Sequence, residues 1–258
     1  MANALTRSLT VRADDRELSG SCRYYLSLTE TMSLTPSLFQ LDAYNLPKSD
    51  QILLGQVKRL SVLTGISLLA AGDIVDVITR RTEDALITSI FFSPSLAFWQ
   101  SFVSVTIQAG VTLSRSLSII LSASTVPDVG LSFYNLDPVF SRPQAYHGRT
   151  ADAVLDALST VDHLCCITSA GLKVIPPSGG PSPASLDRED LYDVPAFMSR
   201  QRVLLTVKPA GWCVGDTLLF PYENDTLKGI VIQRTLALDT KAGSWKVDLI
   251  LKKVQLRG

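Results

Sequence analysis

The closing stretch of the chain constrains its fold most: Trp245, Val247, Leu249 and Leu251 alternate with Lys246, Asp248 and Lys252, directly after the turn Asp239, Thr240, Lys241, Ala242, Gly243. Alternation at period two places apolar side chains on one face of a half-buried β-strand and wetted ones on the other. The same rhythm marks the N-terminal part. Leu5, Leu9 and Val11 alternate with Thr6 and Thr10 before a polar turn at Asp14 and Asp15, and Tyr24, Leu26 and Leu28 alternate with Tyr25, Ser27 and Thr29. Over 37–47, Phe39, Leu41 and Ala43 share one face, and Pro47 ends the ladder because it brings no N–H. Further β-prone runs cover 57–63, 66–70, 74–79, 86–92 and 103–107. So many short strands favour a small barrel or sandwich, in which sheet edges are hidden by closure or by pairing elsewhere.

The period then changes. Leu113, Leu117, Ile120 and Leu121 form one apolar stripe at helical spacing, beginning near Val111 or Thr112. A second helix opens at Thr150, read as its N-cap, with Asp152 in the first turn and Val154, Leu155, Leu158 and Val161 along one side. Residues 164–168 and 172–176, separated by Ser169, Ala170 and Gly171, form a hairpin against it, giving a small α+β unit. The Pro-, Gly- and Ser-rich run 176–183 breaks regular structure and reads as a flexible loop. Beyond it Val203, Leu205 and Val207, then Leu218 and Phe220, then Ile230 and Ile232 restore period two, as a second β-module or as strands returning to the first. The expected fold is mainly β with a smaller α+β part. A first barrel-like module spans 1–108, the helix and hairpin insert 109–192, and second-module strands 193–258.

Composition narrows function by exclusion. Lys plus Arg and Asp plus Glu each total 24 in 258 residues, so net charge gives no general pull toward nucleic acid or anionic lipid. The most apolar run, 60–71, carries Ser61, Thr64, Gly65 and Ser67, is too short to cross a bilayer and reads as buried strand. No membrane insertion is expected. Residues 1–7 have neither a charged leader nor an apolar core of signal-peptide length, which argues against export by that route. Cys22, Cys165, Cys166 and Cys213 include no CxxC, so they suggest neither a zinc knuckle nor a disulfide framework, and they fit buried thiols in a reducing cytoplasm.

No phosphate, dinucleotide, zinc or hydrolase motif occurs, and no catalytic, cofactor-binding or metal-ligating residue is expected. The nearest approach to a reactive site is His163 beside Cys165 and Cys166, a base and two thiols at a helix-to-strand junction. The apolar run 164–167 suits a buried strand better, so no enzyme is expected. His147, ahead of the Thr150 helix, could face an anion, but a turn and cap account for it. Asp50, Asp73, Asp76, Glu83 and Asp84 lack ligand spacing and read as solvated turn and edge charges. The pairs Arg80, Arg81 and Lys252, Lys253 read as charges that blunt strand edges, too few to hold a duplex. Tyr24, Tyr25, Phe91, Phe92, Phe98 and Trp99 are candidates for subunit contacts. A second reading takes Tyr24, Tyr25 and Trp99 as the face of a glycan- or receptor-binding module.

Taken in order, the N-terminal strand pair, the 37–47 passage ending in Asn45, Leu46 and Pro47, the strand block, and then Ala71, Gly72, Asp73, Ile74 and Val75 resemble the tail hub proteins of bacteriophages, the central-ring family typified by late control protein D. The likeness continues through the helix at 112–123, Gly148, Arg149 and Thr150 opening a helix, the 165–175 hairpin, Gly215 and Asp216 within 209–219, and the 239–245 turn. It covers nearly the whole chain, departing at 195–202 and at the compact turn 222–227, where the family carries peripheral binding loops. The resemblance implies a structural, non-enzymatic protein without cofactor, located in the virion tail, baseplate or tail tip and assembled in the host cytoplasm. It further implies a homotrimeric ring with two similar barrels per subunit in pseudo-sixfold arrangement. Such a ring joins the tail tube protein to a central spike or tail-tip protein, and DNA passes through its lumen without specific binding.

Overall fold

A computed structural model describes residues 7–94, 96–125, 130–134, 137–169 and 171–254. The strands are β1 (Thr10–Ala13), β2 (Arg16–Glu17), β3 (Arg23–Thr31), β4 (Phe39–Tyr44), β5 (Arg59–Thr64), β6 (Ser67–Arg81), β7 (Leu86–Ser93), β8 (Phe102–Ile107) and β9 (Leu131–Phe133). They continue with β10 (Gln144–Arg149), β11 (Leu164–Thr168), β12 (Gly171–Ile175), β13 (Ala184–Ser185), β14 (Ala196–Ser199), β15 (Arg202–Val207), β16 (Thr217–Tyr222), β17 (Asp225–Asp239) and β18 (Trp245–Val254). Helices α1 (Lys48–Leu54), α2 (Leu96–Gln100), α3 (Leu113–Ala123) and α4 (Thr150–Leu158) lie between them. The fold is mainly β with a smaller α part.

One 13-stranded sheet follows the order β14-β15-β18-β17-β3-β4-β7-β6-β5-β1-β2, with β16 added on β17 and β13 on β16. Of the two alternatives for the C-terminal strands, return to the first part is the one seen. β17 pairs antiparallel with β3, Leu236 opposite Leu28 and Leu238 opposite Leu26. Residues from both parts, among them Leu26, Phe39, Phe92, Val203, Phe220 and Leu249, fill one apolar cluster. The alternating faces are as expected: Tyr24, Leu26 and Leu28 on β3, and Trp245, Val247, Leu249 and Leu251 on β18, all point inward. A second cluster, sharing no residue with the first, gathers Phe98, Leu113, Leu117, Ile120, Val154 and Leu172 in the α+β unit. β8 belongs there, because it pairs with β10 and buries Val103 and Ile107 in that cluster.

The large sheet repeats itself. Strands β3, β4, β5, β6 and β7 are arranged in space as β3-β4-β7-β6-β5, while β14, β15, β16, β17 and β18 are arranged as β14-β15-β18-β17-β16. Every neighbouring pair in both halves is antiparallel. β6 and β17 are each 15 residues long. Each carries one extra residue against its partner, Val75 against β7 and Ile232 against β18. Such a bulge bends a strand, which lets one long strand serve two neighbours in succession.

Local expectations change in several places. The run 60–71 is not one buried strand, because Gly65 adopts φ 56° and turns the chain between β5 and β6, leaving Ile66 fully exposed. The runs 66–70 and 74–79 are one strand. Gly72 continues it, since a Cβ there would stand 2.4 Å from the Ser93 carbonyl carbon and 2.6 Å from the Pro94 nitrogen. Gly72→Ala is therefore expected to destabilise the fold by about 1–3 kcal/mol, the usual cost of added volume in packed surroundings. The urea midpoint should fall with its slope unchanged; an unchanged midpoint would remove this reason for the glycine. Thr150 is the first residue of α4 and not its cap, a place taken by Arg149. Its hydroxyl accepts instead from the Ser101 hydroxyl at 2.7 Å. Thr112 does cap α3, accepting from the Arg115 N–H. Leu155 lies on the wetted side of α4. Helices α1 and α2 replace what reads as chain between strands, being too short to show a helical period. The run 176–183 holds no helix or strand, and its Gly180 N–H donates to the Thr217 hydroxyl at 2.7 Å. Leu5, Thr6 and Ala170 lie outside the described residues.

Candidate assembly interface

Among the described residues, two strand edges lie open at the sides of the repeated halves. β14 ends the sheet path, pairing among the described residues only with β15, and Ala196, Phe197, Met198 and Ser199 are all exposed. β5 covers β6 only from Ser67 to Asp73, so the part of β6 beyond the Val75 bulge has β7 on one side and, among the described residues, no strand on the other. Unpaired N–H and C=O groups in such an edge are ready to continue the ladder with another chain. Apolar side chains accompany both edges: Ile78 is 48% exposed on β6, and Met198 58% on β14. Phe197 is held edge-on against Tyr222 at 4.9 Å, with the Lys253 ammonium 5.8 Å from its ring. Arg80 and Arg81 lie on the open part of β6, as edge charges should. Lys252 and Lys253 do not blunt an edge, because β18 is an interior strand between β15 and β17. Alternation alone does not separate the two situations.

The joint between the halves is held by charge. Glu30 on β3 and Arg234 on β17 stand opposite each other, 2.5 Å apart, with side chains 4% and 1% exposed. Neither Glu30 oxygen has an aligned hydrogen-bond donor among the described residues, so the contact is an ion pair. Burial pushes the Glu30 carboxyl up, and the Arg234 guanidinium draws it partly back. Arg234 also donates to the carbonyls of Trp212 and, at 2.9 Å, of Leu69, and so fastens β3, β6 and the chain before β16 to one side chain. That chain continues to the α+β unit, where Asp216 accepts from Lys173 at 2.7 Å. Gly215, at φ 87°, lets the turn lie against β12; a Cβ would stand 2.5 Å from Ile175 Cδ1. Ser169 adds bonds of 2.9 Å to both the N–H and the carbonyl of Ala71. None of these four charged residues stands out as a motif in the sequence. The available signal is positional, since Glu30 continues the inward series Leu26, Leu28, and Arg234 precedes Leu236 and Leu238.

The residues singled out for chemistry do not converge. His163 stacks on Phe133 with centroids 5.7 Å apart, and neither ring nitrogen hydrogen-bonds to a thiol or to any other described group. Burial pushes the Cys165 thiol up and the Cys166 thiol up to about 12. In the folded protein both are expected to resist iodoacetamide at neutral pH and to react once urea unfolds the chain. Rapid alkylation of the native protein would show a thiolate that this burial does not allow. His147 is exposed on β10, opposite Ser104. Asp50 lies in α1 and accepts from the Ser19 N–H at 2.9 Å; Asp76, Glu83 and Asp84 are exposed along β6 and its turn, and Asp73 is half-buried. Among the described residues no three His, Cys, Asp or Glu gather where they could hold a metal ion, and no helix is long and apolar enough to cross a membrane. Tyr24, Phe92 and Phe98 are core residues, which leaves only Tyr25, Phe91 and Trp99 half-buried.

No protein-family model and no curated protein matches the sequence. Solved structures do match the fold. The tail protein from Neisseria meningitidis MC58 superposes with a TM-score of 0.63 at 10% identity, over 95% of this chain and 96% of that one. The 43 kDa tail protein of prophage MuSo2 from Shewanella oneidensis gives 0.65 at 9% identity, over 95% and 96%. An E. coli component of the type VI secretion system, structurally similar to the T4 bacteriophage tail proteins gp27 and gp5, gives 0.64 at 11% identity, over 96% and 77%. At such identities the likeness is one of fold, and the fold is that of phage tail-type proteins.

Proposed function

We propose that this chain is a structural protein of a bacteriophage tail, or of a phage-like particle, that closes copy upon copy into a ring joining the tail tube to a central spike or distal tip. The internal repeat carries this reading. Its two halves meet through β17 and β3, while the equivalent strands at the far sides, β6 and β14, are left open. A unit whose halves join by one rule, and whose free sides offer the same two edges, adds head to tail, and such a contact makes a ring when the rotation closes. Likeness to tail proteins over nearly the whole chain supports the role, and the hub resemblance supports a homotrimer with pseudo-sixfold symmetry. The work is mechanical, with no reaction and no cofactor assigned. Its partners are the tube protein above and the spike or tip protein below, and DNA passes through the lumen without specific contacts.

Size-exclusion chromatography with light scattering should return the mass of three chains. A stable monomer at high concentration would end the proposal.

A further inference from the structure

Resting on the ring reading, we propose that the open part of β6 in one copy forms an antiparallel ladder with β14 of the next copy, in a register that sets Thr79 opposite Phe197. The joint already present inside the chain supplies the template. The bulges fix the equivalence of β6 and β17: Val75 corresponds to Ile232, so Asp76, Ile78, Thr79 and Arg80 correspond to Gln233, Thr235, Leu236 and Ala237. β3 and β14 are equated through the strands beside them. Ser27 faces Gln40, which faces Phe91, the first β7 residue paired beyond the β6 bulge. Ala196 faces Leu204, which faces Ile250, the first β18 residue paired beyond the β17 bulge. Ser27 and Leu28 therefore correspond to Ala196 and Phe197, where the equivalence stops, because Phe197 faces Val203 and Ser199 faces Arg202, which leaves Met198 as an extra residue of β14.

Inside the chain, Ala237 faces Ser27, Leu236 faces Leu28, Thr235 faces Thr29 and Gln233 faces Thr31. Carried over to the free edges, the first two of these pairs become Arg80 with Ala196 and Thr79 with Phe197, the two positions of β14 that precede its bulge. Thr79 and Phe197, both exposed in a lone copy, take the places of Leu236 and Leu28, which bury each other in the joint inside the chain. The occupant of each edge is thus a second copy of this chain, joined as a continuation of the seam that already unites its halves.

The test uses two variants of the full chain, Thr79→Cys and Phe197→Cys, mixed and mildly oxidised. Residues directly opposite on antiparallel strands have Cβ atoms about 4.5–5.5 Å apart, close enough for a disulfide after a small adjustment. The mixture should yield a linked dimer on a non-reducing gel that neither variant forms alone, because the contact is head to tail. Light scattering on the same samples separates the failures. An oligomer without the mixed link, or one in which a single variant links to itself, overturns the strand assignment and leaves the ring standing. A monomer overturns both.

Discussion

Arg234→Ala is expected to cost about 3–5 kcal/mol, the loss seen when one member of a buried ion pair is removed and the other is left charged without a partner. Single domains are commonly stable by only about 5–15 kcal/mol, so the variant should unfold at a far lower urea concentration and express poorly at higher temperature. The loss has two sources. Glu30 would remain 3% exposed facing an empty place, and the Trp212 and Leu69 carbonyls would lose their donors. Glu30→Leu combined with Arg234→Met should recover a large part of the loss, because an apolar pair of similar volume often replaces a buried ion pair at little cost. It should still fall short of the natural protein by about 1 kcal/mol for each carbonyl left unsatisfied. A single variant within about 1 kcal/mol of the natural protein would show that the joint does not depend on this pair.

Phe39→Ala should be nearly as damaging, at about 3–5 kcal/mol for an aromatic ring removed from a closed core. Phe39 and Phe92 are both fully buried, and their rings meet edge to face with centroids 5.4 Å apart at 82°. They face each other across β4 and β7, where a void cannot be filled by a loop moving in. Adding Phe92→Ala should cost less than the sum of the two single losses by about 0.5–1.5 kcal/mol, the part owed to the ring pair itself. Thermal or urea melts of the four proteins measure both numbers. Strict additivity would place the two rings in separate environments.

Much of this was legible in the amino-acid order, and the reason is local. Period two in 24–29 and 245–251 states which side chains are inward, and the same alternation carries Glu30 to a buried place. The partner across the joint is another matter. Nothing in β3 names β17, about two hundred residues away, because alternation fixes the face of a strand and not its neighbour. The same limit explains Lys252 and Lys253, whose pattern fits an interior strand as well as an edge. Helices α1 and α2 run for 7 and 5 residues, too few to display a repeat. Thr150 stands one position inside the helix it is expected to cap, because the residue that starts a helix and the one that caps it are adjacent and carry the same sequence signal. The two halves share strand order and a bulge but few residues, Leu60 opposite Gly72 matching Leu218 opposite Gly229, so the repeat, and with it the open edges of the candidate interface, emerges only from the pairing.

The smaller α+β unit keeps an oily interior of its own, and among its ties to the large sheet are Lys173 with Asp216, Ser169 with Ala71, and the Cys166 thiol with the Val214 carbonyl. A chain built in this way behaves like a tool with an interchangeable head. Chimeras that graft the corresponding unit of one of the superposed tail proteins need to preserve those anchor points.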